Sequence, residues 1–326
     1  MAALSRPREI CCKTGLSIRR LTDINYLTKV RRMDAEHVRQ MRSFNRTVSQ
    51  RIGALQDHFL NRDRPLGEAR LLYEIGRDGA DVRDLRARLE LDSGYVSRLL
   101  RSLESQGLIK AEPAASDGRV RRVSLTRKGL REVGELDRRG DALAESVLAP
   151  LSPSQRDRLV AAMAEIEQLM RASFVQIQAE PADGAAARWC LQEYFRELAE
   201  RFENGYDPAK ALPANPDELT PPAGVFVIAR LHGEPIGCGA LKVKDQKSGN
   251  VRRMWVRADA RGLGVGRRIL ETLETLARES GLSIVRLETN RVLKEAQALY
   301  RNAGYLEVER FNAEPYAHHW FEKRIT

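Results

Sequence analysis

Only four of the 326 residues are cysteine (Cys11, Cys12, Cys190 and Cys238), and they form neither a CxxC pair nor a metal-ligand spacing. That excludes a disulfide-stapled scaffold and a zinc ribbon, and a reducing, cytoplasmic setting is expected. No run of about 18 apolar residues occurs, so neither a spanning helix nor a membrane partner is expected. The N-terminus also lacks a secretory signal's apolar block, because Arg19, Arg20 and Asp23 interrupt its hydrophobics. Internal repeats and low-complexity tracts are missing. His318-His319 has no third ligand at metal spacing, so no metal site is expected.

What is present is a globular composition, 42% hydrophobic and 31% charged, with enough length for two domains of ordinary size. The net charge of +10 is unevenly placed: residues 1–33 hold eight Lys/Arg against two Asp/Glu. Residues 34–180 and 181–326 each carry only +2. Residues 1–33 are therefore read as a basic, disordered leader, and DNA binding has to be argued from local pattern.

From Asp34 to about Leu60, Val38, Met41, Phe44, Val48, Ile52, Leu55 and Phe59 recur every three or four positions, the signature of a long amphipathic helix. After the break at Pro65 a second helix runs to Gly76, and Asp81 caps a short third. A fourth helix carries Val96, Leu99, Leu100 and Leu103 on one face and Ser93, Tyr95, Ser97, Arg98 and Arg101 on the other. Gly107 ends it, and residues 108–113 and 120–125 read as strands around a turn at Ser116-Asp117-Gly118. Helices from Arg127 to Leu148 and Ser154 to Val175 follow, then a linker over 178–184.

Helix, tight turn, helix and basic hairpin is the layout of a winged helix. One turn apart, Arg98 and Arg101 suit a guanine edge or phosphates in a major groove. Arg119 stands at the hairpin tip, and Arg121 alternates with Arg122 along the strand. On Leu91-Asp-Ser-Gly-Tyr-Val-Ser-Arg-Leu-Leu-Arg-Ser-Leu-Glu-Ser-Gln-Gly-Leu-Ile and Asp117-Gly-Arg…Val-Ser-Leu-Thr-Arg-Lys-Gly129, the segment 34–177 resembles the MarR family of transcriptional regulators. The resemblance implies a homodimer through the first and last two helices, reading a double-stranded DNA operator of pseudo-palindromic form. Ser93, Tyr95, Ser97, Arg98, Arg101, Arg119 and Arg121 are its expected DNA contacts.

Downstream, Arg188 to Phe202 is expected to be helical, and three strands, 225–231, 236–243 and 250–256, follow a Pro-rich loop. The third runs into Arg261-Gly262-Leu263-Gly264-Val265-Gly266-Arg267, where glycines let the backbone turn tightly and line up N–H groups at a helix N-terminus. Such a nest, supported by the helix dipole, binds a pyrophosphate. The same spacing fits part of a dinucleotide fingerprint, with Glu288 about 20 residues on. A Rossmann fold, however, would place the glycines after its first strand.

With Asn290 and Ala296-Gln-Ala-Leu-Tyr300-Arg-Asn-Ala-Gly304-Tyr305 added, residues 185–326 resemble the GNAT family of N-acetyltransferases. The expected fold is thus α+β in two domains: a mainly α winged helix-turn-helix followed by a mixed α/β sheet domain. The resemblance implies acetyl-CoA as co-substrate, in a V between the strands ending at Val256 and near Glu288. Backbone groups of Met254, Trp255 and Val256 would meet the pantetheine, amides of Arg261 to Arg267 the pyrophosphate, and Asn290 the pantetheine arm.

An amine of pKa ~10 must lose a proton before it attacks a thioester, and the leaving thiolate must gain one. Tyr300 is the expected acid. The position where family members often carry a Glu base is matched by Asn250, which cannot take a proton; Glu288, a water chain or Glu193 could substitute. Glu193 and Tyr206 are candidate contacts of the amine acceptor. The function expected is acetyl transfer to an amine combined with transcriptional regulation. Two alternatives stay open: an acetyl-CoA sensor that does not turn over, and an enzyme whose winged helix only dimerises.

Overall fold

The computed structural model describes residues 34–53, 59–114 and 117–325, and the side chains of these except 114–120. The basic leader 1–33 and the turn residue Ser116 lie outside the described residues. The chain divides into two compact units, the first holding the described residues up to Phe174 together with Leu231–Glu234 and the second the rest from Val175 on.

In the first unit, α1 (Ala35–Arg51) starts where Asp34 Oδ1 accepts from Glu36 N at 2.9 Å. It stops well before the expected Leu60. Gly53, at φ 68°, follows the cap residue Ile52, and a left-handed glycine there ends a helix. Phe59–Asn61 is a single 3-10 turn. Then come α2 (Leu66–Ile75), a two-residue strand β1 (Ala80–Asp81), α3 (Val82–Leu89) and α4 (Ser93–Ser105), the last capped by Asp92. The wing is β2 (Ile109–Ala114) and β3 (Asp117–Leu125), with β3 central in the order β1-β3-β2. β1 was not legible in the sequence, because two residues carry no periodicity; pairing of Ala80 with Val123 and Asp81 with Arg122 creates it.

Two long helices complete the unit: α5 (Arg127–Leu148), capped by Thr126, and α6 (Pro153–Ser173), opened by a Ser152–Gln155 capping box. The core is the set that helical spacing marks out, including Leu72, Ile75, Leu85, Val96, Leu100, Leu103 and Leu136. A buried ionic cluster ties its pieces together. Glu132 on α5 accepts from Arg64 Nε at 3.0 Å and pairs with Arg62, while Glu68 on α2 accepts from Ser102 Oγ at 2.6 Å and Gln106 Nε2 at 3.0 Å. Arg64 also reaches Glu68, at 3.3 Å.

The second unit is built on a seven-stranded sheet. Its first strand corrects the expected linker: Gln176–Ala179 is β4, antiparallel to β5 (Gly224–Leu231). The polar residues Gln176 and Gln178 suit an exposed sheet edge, and Glu180 extends the seam through an ion pair to Arg230 at 2.7 Å. After α7 (Ala185–Arg201) come β6 (Glu234–Val243), β7 (Ser248–Val256), α8 (Val265–Glu279), β8 (Ile284–Thr289) and α9 (Lys294–Asn302). The closing strands are β9 (Leu306–Val308) and β10 (His319–Arg324), and the sheet order is β4-β5-β6-β7-β8-β10-β9.

Strand alternation sorts the two faces. Cys238 and Ala240 of β6 join Ala187 and Cys190 of α7 in one core cluster. Gly237 and Gly239 face the other way, where a Cβ on Gly239 would stand 2.6 Å from Ile269 and 3.1 Å from Leu273 of α8. The missing side chains let α8 lie close against the sheet.

Candidate functional site

On α4 the apolar stripe Val96, Leu99, Leu100 and Leu103 is buried, which turns Ser93, Ser97, Arg98 and Arg101 outward as exposed residues. Tyr95 differs from its expected place. It is half-buried against the core, and a Cβ on Gly67 would come within 2.7 Å of its hydroxyl, so it supports the Arg98 guanidinium 5.6 Å above its ring. Arg101 Nε bonds Ser97 O at 3.2 Å. The two wing arginines part company: Arg121 leans to Glu104 of α4 at 3.5 Å, whereas Arg122 is held by Asp81 and Asp78 O at 3.3 and 2.7 Å. The Arg119 side chain lies outside the described residues.

The second site grows from a break in the sheet of the C-terminal unit. β7 and β8 are parallel and pair only over 248–250 and 284–286, with Asn250 opposite Arg286. Beyond that point β7 runs on to Val256 and β8 to Thr289 without pairing to each other, which opens a V. Across the other edge of β7, Arg257 N donates to Ile236 O at 2.9 Å while Gly237 lies opposite Val256. Gly237–Val256 is therefore a non-hydrogen-bonded pair, and the N–H and C=O of Val256 face the V. Trp255, opposite Cys238, turns its polar backbone to β6 instead, so the expected backbone contact from Trp255 is not available. Its indole Nε1 is bonded to Glu197 at 2.9 Å.

At the mouth of the V, Gly262 (φ 82°) and Gly264 (φ 72°) make the turn into α8, a conformation few side chains tolerate. Gly264 caps the helix with no side-chain acceptor. Among the described residues, the amides of Leu263, Gly264, Val265, Gly266 and Arg267 have no acceptor within the chain. The Arg261 amide does, bonding Ala258 O at 3.3 Å, so the expected amide row starts later than Arg261. The Arg261 guanidinium is a strut, reaching Glu197 at 2.6 Å and Val256 O at 3.1 Å. Burial pushes the Glu197 carboxyl up, but the bonds from Arg261, Trp255 and Arg201 outweigh it and hold it below the ordinary range. A Cβ on Gly266 would touch Leu299 at 3.5 Å and Val256 at 3.7 Å, so the amide row sits beside α9, the helix that carries Tyr300.

Behind the V lies a cavity of about 90 Å³ whose walls include Tyr300, Glu288, Met254 and Asn290. Tyr300 is buried and its hydroxyl has no partner among the described residues; burial, and then the charge of Glu288, push its pKa well up. Glu288 accepts from Arg252 Nη1 at 2.9 Å and Asn312 Nδ2 at 3.1 Å, and burial raises its pKa despite the guanidinium. Asn290 braces the fold: Nδ2 donates to Tyr316 O at 2.8 Å and Oδ1 accepts from Val292 N at 3.1 Å. Asn250 is no part of the cavity wall, because it belongs to the closed end of the V. Glu193 is not on the wall either and pairs with Arg196. Tyr206 is on it.

Sequence reasoning missed Arg252, Arg253 and Glu314. Arg252, side chain 8% exposed, bridges Glu288 and Glu314. Arg253 sits at a β-bulge with φ 57°, one extra β7 residue being accommodated opposite Gly239. The signal that could have found them is two successive arginines inside an apolar strand, since a buried guanidinium requires a partner.

Residues 190–305 match the acetyltransferase (GNAT) family model and residues 63–120 the MarR family model. The chain therefore carries a GNAT-family acetyltransferase domain behind a MarR-family domain. Among relatives, an IAA acetyltransferase of Azospirillum brasilense is 42% identical over 83 residues, 25% of this chain and 54% of that protein. The chain thus spans about half the length of that relative. An uncharacterised N-acetyltransferase of Schizosaccharomyces pombe is 29% identical over 46% of this chain and 91% of its own. The uncharacterised HTH-type transcriptional regulator YdgJ of Bacillus subtilis is 26% identical over 41% of this chain and 78% of its own. A solved GNAT acetyltransferase of Staphylococcus aureus, 19% identical, covers 47% of this chain and 99% of its own with a TM-score of 0.41.

Proposed function

We propose that this protein transfers an acetyl group from acetyl-CoA to an amine and, as a homodimer, binds duplex DNA to regulate transcription. The observation that carries the enzymatic half is the V itself: a strand edge at Val256 unpaired to β8, its N–H turned into the V, next to a row of unbonded amides at the start of α8. Amides of 263–267, with the helix dipole behind them, suit a diphosphate. Acetyl-CoA, when bound, supplies the thioester carbonyl and a thiolate leaving group. The Val256 N–H is turned to polarise that carbonyl. Glu288 takes a proton from the incoming ammonium, its raised pKa making it a stronger base than an ordinary carboxylate. Tyr300, kept protonated by burial, gives the proton that the thiolate needs.

The regulatory half is supported by the exposed Ser97, Arg98 and Arg101 on α4 beside a basic wing. The dimer is supported by helices that leave their apolar faces bare. α1 and α6 have no buried residue, and Val38, Met41, Val160, Met163 and Met170 are 42–58% exposed. Two bare apolar helix faces in water point to a second copy of the same surface.

Calorimetry with acetyl-CoA, followed by thiol release with a panel of amines, tests the enzymatic reading. Saturable binding and amine-dependent thiol release are expected. Binding without turnover for every amine would instead leave a DNA-binding protein whose C-terminal domain reports acetyl-CoA. No binding would remove the enzymatic half altogether.

A further inference from the structure

The charges around the acetyltransferase cavity are paired, with one exception. Arg252 is engaged by Glu288 at 2.9 Å and Glu314 at 3.1 Å, and all three side chains are at most 8% exposed. Outside the wall, Arg201 and Arg261 share Glu197, and Lys242 is held by Glu218. Arg253, which lines the same cavity, has no carboxylate within ion-pair distance among the described residues. Among the described residues its guanidinium makes one hydrogen bond, from Nη1 to Tyr206 Oη at 3.0 Å.

Yet Arg253 is held firmly. Its guanidinium lies 5.0 Å from the centre of the Phe195 ring, and Phe195 stacks on Tyr206 at 5.7 Å and 23°. The bulge at φ 57° sets where its side chain leaves the strand. A guanidinium offers five donors in a rigid fork, and here one is used. A half-buried guanidinium fixed in place with most of its donors unused and no carboxylate bonded to it is matched by a ligand's carboxylate, which the fork can take with two parallel bonds.

Two further features of the same cavity complete the pattern. Glu288 and Tyr300 place the acid–base pair on its wall, so that is where the reacting nitrogen belongs. Tyr206, Phe202 and Tyr316 form an aromatic cluster, with Tyr206–Tyr316 at 4.7 Å and Phe202–Tyr316 at 5.8 Å. A cation, a proton acceptor and an aromatic wall match the carboxylate, amine and side chain of one small molecule.

We propose that the acetyl acceptor is an amine that also carries a carboxylate, an amino acid with an aromatic or large apolar side chain, and that Arg253 binds its carboxylate. This rests on the acetyl-transfer reading. In the step, the nitrogen–acyl bond forms and the carbon–sulfur bond breaks. Of the two ammonium protons lost, one leaves through Glu288 to solvent, and the thiolate's proton from Tyr300 is balanced by the other.

The experiment compares phenylalanine, tryptophan and leucine with their amides and their decarboxylated amines, using the full-length protein, acetyl-CoA and thiol release. For wild type, kcat/KM for the amino acid should exceed that for the matching decarboxylated amine by about 100-fold, as expected where a site is built around a charged group that the analogue lacks. In Arg253→Gln that ratio should fall to near one, through the KM of the amino acid, and Arg253→Lys should lie between. Wild type that uses the amides and decarboxylated amines as well as the amino acids would overturn the proposal without reference to any variant. So would an unchanged ratio in Arg253→Gln that folds with a native circular dichroism spectrum. Either failure spares the acetyl-transfer reading, whereas binding of acetyl-CoA with no turnover of any amine, charged or neutral, sinks both.

Discussion

Burial displaces Tyr300 and Glu288 in the same direction, and the two shifts do opposite work. A raised phenol stays protonated through the working range, while a raised carboxyl binds its proton more tightly and so accepts one more readily. Activity should climb as pH rises through a Glu288 value above the ordinary carboxylate range, with no fall from Tyr300 ionisation until well past neutrality. A pH profile of kcat/KM for wild type and Glu288→Gln checks this, the acid limb being lost in the variant. Tyr300→Phe should retain acetyl-CoA affinity by calorimetry and lose about 100-fold or more in kcat, the usual worth of a positioned acid. A drop in affinity with kcat unchanged would remove Tyr300 from the acid role.

Between elements, close approach and buried charge decide more than propensity. Gly129 lies in the first turn of α5, where alanine is worth up to about 1 kcal/mol by helix propensity. A Cβ there would sit 2.1 Å from Leu108 O, so α5 or the start of β2 would have to move. Gly129→Ala should therefore destabilise the protein despite its better helix former, which a thermal melt would show as a lower Tm. Glu132 carries a second prediction. The hydrogen bond from Arg62, followed by the charge of Arg64 against the cost of burial, holds its carboxyl below the ordinary range. A depressed folded-state value means stability that is present above the unfolded carboxylate pKa and lost as pH falls through the folded one. Glu132→Gln leaves the buried Arg64 with Glu68 as its remaining counter-charge, at a cost below the about 3–5 kcal/mol of a fully broken buried pair. The Tm gap between wild type and variant should narrow on acidification; a gap independent of pH would contradict the ionic reading.

For the whole molecule, the proposed dimer and the proposed DNA binding have separate readouts. Sedimentation should give a dimer, and Met163→Glu on the bare face of α6 should shift it toward monomer. DNA affinity should fall steeply as salt rises, because phosphate contacts release counterions. Arg98→Ala with Arg101→Ala should bind more weakly at every salt concentration and with a shallower slope. An unchanged slope would leave the winged helix as a dimerisation module.

Local chemistry settled much of this. The α4 stripe is readable because a 3.6-residue period needs no partner to be seen, and Gly262 and Gly264 announce a turn because only that turn needs them. Tyr300 and Glu288 were legible as chemistry-bearing residues. Other features needed the assembled fold. β4 and β1 exist because a neighbouring strand supplies their hydrogen bonds, so nothing in Gln176–Ala179 or Ala80–Asp81 declares them alone. The α1 pattern ran on past the point where Gly53 stops the helix. Most of all, the cavity's charge balance is non-local. Arg252 and Arg253 are neighbours in sequence, but a bulge in β7 sends one to Glu288 and Glu314 and the other to Phe195 and Tyr206, a difference that only strand pairing could create.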